Sequence, residues 1–354
     1  MMVFRWVYSA DCLKFARCSV MCALMAVCCG CSSNDDSSSD ISDGTSACQT
    51  ALLPMATSVA VVDLPDGRPI NAEVFEDGSG YVLLANQLVF GAGRTPVLRY
   101  ESSDGVNFTT STEIAGSDHW RSPSIVNHKG TWFMFYRSSL WDSGLDYDTI
   151  GLATSVDGLQ WTDQGVVVDG VGDAIPGATT LTEPRVWHDG LRFHLYVTAW
   201  NEVTIEDMTG AVWSIAHAVS EDGMAFSQVD VPFAARPCEA ASPTTSGFEQ
   251  FAVGGIVRSV CGTELCRDRL ALVVRHLECA SGTKPSSFRL EVVMSDDGTT
   301  FSPPRASLPD QQYSTAALAD DDTLWLYRDE ETAHNDGQII LTPVELTTSL
   351  CDTP

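Results

Sequence analysis

One short motif recurs along this chain and limits what it can fold into. It reads Ser, any residue, Asp-Gly, two further residues and an aromatic, and it occurs four times. The copies are Ser102 to Phe108 (SSDGVNF), Ser155 to Trp161 (SVDGLQW), Ser220 to Phe226 (SEDGMAF) and Ser295 to Phe301 (SDDGTTF). Asp-Gly supplies a hairpin turn with a residue at positive φ, and the aromatic plugs the sheet behind it. Equal internal spacing at four places argues against unrelated hairpins. A repeated hairpin means a repeated β unit. Asp104, Asp157, Asp222 and Asp297 are therefore read as turn residues, not as catalytic acids.

A second element precedes each turn. Ser122 to Tyr136 (SPSIVNHKGTWFMFY) and Glu183 to Trp200 (EPRVWHDGLRFHLYVTAW) each read as a strand, a Gly-containing turn and an aromatic-rich strand. Ala72 to Ala85 is a degenerate copy. Units begin near residues 70, 119, 180, 247 and 312, and the last carries Thr323 to Glu330 (TLWLYRDE) without the turn motif. No long amphipathic helix follows the N-terminal segment. These units predict an all-β protein: a five-bladed β-propeller of four-stranded antiparallel blades, whose closure protects the strand edges. A six-bladed sialidase-type propeller also repeats Asp turns, but with one more residue between Asp and Gly, a spacing that no copy here has. Its carboxylate-binding arginine cluster would have to come from Arg121, Arg137, Arg185 and Arg328, which nothing in the sequence singles out.

The N-terminus reads as a targeting segment. Arg5, Lys14 and Arg17 precede a short apolar run, Ser19 to Gly30, that ends at Gly30-Cys31. A Ser/Asp-rich stretch follows. The arrangement resembles a bacterial lipoprotein signal, in which the Cys is lipidated and becomes the first mature residue. It implies a signal peptide over 1–31 with Cys31 as acceptor, a disordered polar linker over 32–50 and a propeller domain over 51–354. The expected location is the bacterial cell envelope, lipid-anchored at the outer membrane or cell surface. The membrane is met only through the anchor, and a monomer is expected.

Of twelve cysteines, six lie beyond Cys31. An even number in an exported protein implies disulfides. Cys48 and Cys351 stand at the two ends of the folded region, which a propeller brings together. Cys261 and Cys266 bracket a short turn, and Cys238 with Cys279 follows by elimination. The formal net charge is −27, from 47 acidic and 20 basic residues, which excludes a nucleic-acid partner because phosphate binding needs clustered Lys and Arg.

The first residues of each blade's innermost strand line a propeller's central funnel. Here those segments are Asn71-Ala72-Glu73-Val74, Arg121-Ser122-Pro123-Ser124 and Thr182-Glu183-Pro184-Arg185. In order, on three consecutive blades, they resemble the Asp-Pro, Asp-Pro and Glu-Pro motifs of the five-bladed glycoside hydrolase superfamily, families 43, 62, 32 and 68. The resemblance implies a carbohydrate ligand and hydrolysis of glycosidic bonds. Such cleavage needs one carboxyl to protonate the leaving oxygen and a second to activate water or attack the sugar. By the resemblance Glu183 is the acid and Glu73 the base or nucleophile. Ser122 stands where the family carries a third carboxylate, and Asp118 is the nearest acid that could substitute for it. Arg121, Trp120, Trp200 and Trp141 complete the expected substrate-binding set, the tryptophans as faces for sugar stacking. Asp142, Asp146 and Asp148 offer oxygen ligands for calcium, but their spacing matches no defined loop. No metal or other cofactor is expected.

Two function classes stay open at this point, a hydrolase and a non-catalytic carbohydrate-binding or surface propeller with a degenerate site. Two funnel carboxyls about 5 to 10 Å apart favour hydrolysis. A single Glu flanked by Trp favours binding.

Overall fold

The computed structural model describes residues 58–63, 68–88, 94–138, 149–169, 175, 178–205, 208–238, 248–259, 269–279, 288–309, 315–319, 323–331 and 337–345. All belong to one compact unit, Ser46–Pro354. Among the described residues every regular element is a strand.

Blade one holds β2 (Arg68–Glu76), β3 (Tyr81–Leu88), β4 (Val97–Ser102) and β5 (Thr110–Glu113). Blade two holds β6 (Trp120–His128), β7 (Thr131–Ser138), β8 (Thr149–Ser155) and β9 (Thr162–Val168). Blade three holds β10 (Thr180–His188), β11 (Phe193–Ile205), β12 (Met208–Ser220) and β13 (Ser227–Phe233). Each forms a separate four-stranded sheet in sequence order. Blade four is β15 (Phe248–Ser259), β16 (Leu270–Leu277), β17 (Phe288–Ser295) and β18 (Ala306–Pro309), with the two-residue β14 (Arg236–Pro237) against β15. Blade five is β19 (Thr315–Ala319), β20 (Thr323–Glu331) and β21 (Gly337–Glu345), and its fourth strand is β1 (Val59–Asp63) from the other end of the polypeptide. A parallel pairing of β15 with β19 joins blades four and five at their inner strands. The inner strands touch in the order β2, β6, β10, β15, β19 and back to β2, which closes the ring. The expected propeller is thus present, with the unit starts where the repeats put them.

The four Ser-x-Asp-Gly motifs sit at the turns that lead into the outermost strands of blades one to four. Each Asp carboxylate accepts two backbone N–H groups just ahead of it, as Asp297 does from Thr299 and Thr300, both at 2.8 Å. The Ser hydroxyl donates to the Asp, at 2.8 to 3.1 Å across the four copies. The Gly follows at φ of 70° to 77°, where an L side chain is strained. Each turn then rests on the preceding blade. Tyr196 of blade three donates to the Gly298 carbonyl at 2.5 Å, and Tyr327 of blade five donates to that of Gly105 at 2.8 Å.

The apolar core is divided into slabs between blades. One slab joins blades five and one around Trp325 and Tyr327, another joins blades one and two around Leu84 and Met134, and three more continue the circuit. Cys238 and Cys279 form a disulfide in blade four, as expected. Cys31, Cys48, Cys261, Cys266 and Cys351 lie outside the described residues.

Candidate functional site

The inner strands do not run straight into the funnel. On β10 the ladder pairs Thr182 with Thr198 and next Arg185 with Tyr196, so Glu183 and Pro184 together oppose one residue. Glu183 takes φ of 52° to make this bulge. The same step recurs at Ser122-Pro123 on β6 and Asn71-Ala72 on β2, with φ of 50° at Ser122 and 57° at Asn71. A left-handed backbone costs about 1–2 kcal/mol at a residue with a Cβ. Bulges re-aim side chains, and such strain clusters at functional sites.

This register corrects the sequence alignment. The blade-one partner of Ser122 and Glu183 is Asn71, and Glu73 lies two residues further along, level with Ser124 and Arg185. Glu73 is buried, and its Oε1 accepts from Arg258 Nη2 at 2.5 Å and from the Ile125 amide at 3.4 Å. It ties blade one to blades two and four. It is not among the described residues that line the cavity of Glu183.

Glu183 does line a cavity, of 370 Å³, together with Arg137, Thr180, Thr182, Thr198, Trp200, Trp213, Ala252 and Arg275. Its Oε1 accepts from Arg275 Nη1 at 2.8 Å and its Oε2 from the Thr198 hydroxyl at 2.9 Å. That hydroxyl is itself fixed, because it accepts the Val253 amide at 2.9 Å. The Arg275 guanidinium also sits 6.0 Å from the Phe288 ring centre. Trp200 and Trp213 face each other across β11 and β12, with ring centres 5.2 Å apart and planes tilted by 49°. The cavity therefore offers an anchored carboxylate, two guanidinium groups, hydroxyls and an aromatic corner.

Of the other expected site residues, those that the structure describes are not among the residues lining that cavity. Trp120 is buried and stacked on Tyr136 at 4.8 Å, so it is core and not a sugar platform. Asp118 is half-buried and paired with Arg94 at 3.1 Å, so it does not substitute for a funnel carboxylate. Ser122 is buried, and its amide donates to Asn86 Oδ1 at 2.9 Å. Arg121 is half-buried and donates through Nε to the Thr95 hydroxyl at 3.1 Å. Trp141, Asp142, Asp146 and Asp148 lie outside the described residues. Among the described residues no three His, Cys, Asp or Glu side chains are grouped to hold a metal ion.

The sequence reading missed Arg275, Trp213, Thr198 and Asp329. Trp213 was within reach, since folding the β11–β12 hairpin about Ile205 and Met208 sets it opposite Trp200. Asp329 is wholly buried on β20, where it accepts the Asn71 amide at 3.3 Å. Burial pushes its carboxyl up to about 6, against the opposing pull of that amide and of Arg68 and Arg275. Arg185 is buried too, donating to the Pro184 and Gly254 carbonyls at 2.8 and 3.1 Å.

No protein-family model matches the sequence, and no curated protein matches it. Solved structures do. A BT0996 complex with RGII aligns with a TM-score of 0.59 at 12% identity, covering 82% of this protein and 91% of that one. A putative glycoside hydrolase from Parabacteroides distasonis aligns with a TM-score of 0.55 at 12% identity, covering 83% and 96%. The Bombyx mori GH32 beta-fructofuranosidase BmSUC1 gives 0.55 at 11% identity, covering 81% and 62%. The fold is that of the five-bladed propeller glycoside hydrolases. At these identities the likeness extends to architecture, while chemistry rests on the side chains above.

Proposed function

We propose that the protein is an extracytoplasmic propeller that binds carbohydrate in the Glu183 cavity without hydrolysing it. The observation that carries this reading is the composition of the three bulges: Asn71 and Ser122 are neutral, and Glu183 alone is a carboxylate. Hydrolysis needs a proton donor and a second carboxylate acting on one sugar. The Glu183 carboxylate is held by Arg275 and Thr198, an arrangement suited to accepting sugar hydroxyls, and Trp200 with Trp213 supplies a stacking surface. The RGII complex of BT0996 and the hydrolase fold of the other neighbours support a carbohydrate ligand. In this reading the protein is exported as a monomer and held at the cell envelope by lipid on Cys31. Cys31→Ser would then move it from the membrane to the soluble fraction, and retention of the variant in the membrane would reject the anchor.

Glycan binding and reducing-sugar release, measured on the same preparation, test the main claim. The wild type should bind an oligosaccharide and release no sugar, and Trp200→Ala should weaken binding by about tenfold, the worth of one aromatic stack. A second reading, hydrolysis, is favoured by the place of Glu183, at the third-blade bulge where the family carries its acid. It predicts turnover that Glu183→Gln lowers by about 10²- to 10⁴-fold. Turnover with that sensitivity would replace the binding reading.

A further inference from the structure

We infer that His276 is held as an imidazolium between Glu249 and Glu291 and acts as a pH-sensitive clamp on the blade-four wall of the Glu183 cavity. The inference adds regulation to the proposed carbohydrate site, and it rests on that reading only for the ligand whose affinity the clamp sets. Hydrogen-bond counting carries it. His276 Nε2 lies 2.7 Å from Glu249 Oε1, and Nδ1 lies 3.2 Å from Glu291 Oε1. A neutral imidazole has one N–H, and an ionised carboxylate only accepts. Both contacts are hydrogen bonds only when both ring nitrogens carry protons. The three side chains are 12% to 18% exposed, so water can replace little of a bond lost here.

The surroundings agree. Arg236 of β14 donates through Nε to Glu249 Oε2, which completes an alternating row of Arg236, Glu249, His276 and Glu291. The His276 ring stacks on Phe251 with centres 4.6 Å apart, a position that favours a cation. Arg289, directly opposite His276 on the β16–β17 ladder, is exposed and paired with Glu278 at 3.1 Å. Arg275, next along β16, is paired with Glu183. Burial acts against the charged ring, but Glu291 and Glu249 outweigh it and raise its pKa above the ordinary 6.5. Burial likewise opposes ionisation of Glu249, and Arg236 and His276 outweigh it.

The clamp reaches the cavity through its neighbours in sequence. Phe251 pairs with His276 and Ala252 with Arg275, and Ala252 and Arg275 line the cavity. Gln250, next to Glu249, accepts the Trp213 amide through its Oε1 at 3.1 Å. When the ring loses a proton, one nitrogen turns a lone pair toward a carboxylate, and β15 or β17 loses its tie to β16 at that corner. The Cys238–Cys279 disulfide still joins β14 to the end of β16, so the change is a local loosening and not unfolding. The clamp's stabilisation is fully present below pH 6.5 and is lost as pH rises through the raised pKa.

The test follows the full-length mature protein by NMR from about pH 5 to about pH 9. Both ring nitrogens of His276 should be protonated at pH 6.5, where an ordinary imidazole is half neutral. The Trp213 amide should titrate together with the ring. His276→Gln cannot ionise and should abolish that titration, with thermal unfolding to show that the variant is folded. Glu291→Gln should lower the ring's pKa. Affinity for a neutral arabino-oligosaccharide should fall about fivefold or more across the interval in the wild type but not in His276→Gln, and by reciprocity the bound probe should raise the ring's pKa. A ring half neutral or more at pH 6.5, or a Trp213 amide indifferent to its titration, would overturn the inference. So would a probe that binds equally at both ends of the interval. Absence of binding at every pH would count against the carbohydrate reading, while the ring and the Trp213 amide still decide the clamp.

Discussion

Asp329 is the residue whose chemistry departs furthest from its ordinary behaviour. Burial holds its carboxyl near 6 against an ordinary 3.8. Between those values the folded protein holds a proton that the unfolded polypeptide has released. Stability contributed by this group is therefore fully present below about pH 4 and is lost as pH rises toward 6, amounting to about 3 kcal/mol above that. Asn keeps the acceptor for the Asn71 amide and never ionises. Asp329→Asn should raise the unfolding free energy at pH 7.5 and leave it unchanged at pH 3.5, as read from urea unfolding at the two values. Equal stability of variant and wild type at pH 7.5 would show that the carboxylate is not penalised. Glu73 teaches a related lesson. Its place in the sequence suggested a funnel acid, and only a partner 185 residues away, Arg258, reveals it as an inter-blade tie.

The elements differ in how far the sequence disclosed them, and the reason is the range of their interactions. A Ser-x-Asp-Gly turn is held by bonds between residues two or three apart, so its whole logic is printed in seven letters. The inner-strand bulges are held from other strands: Asn86 of blade one grips the Ser122 amide, Asp329 of blade five the Asn71 amide, and Thr198 the Glu183 carboxylate. No local signal marks a two-residue bulge, and assuming plain alternation moved the blade-one site from Asn71 to Glu73. The turns also differ among themselves once packed. A Cβ on Gly298 would lie 2.7 Å from His194 Nδ1 and 2.8 Å from the Tyr196 hydroxyl, whereas on Gly158 the nearest atom is 3.7 Å away. Both glycines have φ near 70° to 75°. Gly158→Ala should therefore cost about 1–2 kcal/mol from backbone strain alone. Gly298→Ala should cost clearly more, because the blade three–four contact must also open. Equal losses in chemical denaturation would mean that the motif acts only as a turn.

At the scale of the molecule the question is what keeps a ring of five sheets shut. The sequence placed this task on a Cys48–Cys351 bridge, both ends of which lie outside the described residues. A non-covalent closure operates in any case: β1 pairs with β21, setting Val59 opposite Leu341 and Val62 opposite Ile339, so that blade five is built from both ends of the polypeptide. Val61 and Val62 join the slab that contains Trp325, Tyr327, Ile339 and Leu341. Fully burying an aliphatic side chain is worth about 1.5–3 kcal/mol, so losing two is a large fraction of a typical domain's stability. Without β1 the outer edge of β21 would also present unpaired backbone groups to any passing strand. Three polypeptides separate the two closures. One of residues 64–354, which lacks β1, should unfold several kcal/mol more easily than one of 51–354 and should self-associate on size-exclusion chromatography. If Cys48 and Cys351 are bridged, a polypeptide of 32–354 should exceed 51–354 by several kcal/mol under oxidising conditions, the chain-entropy value for so long a loop, and fall toward it with reductant. Matching stabilities for the two longer forms would reject the bridge and leave β1 as the closure. Matching stabilities for 51–354 and 64–354 would mean that the inner-strand contacts alone hold the ring.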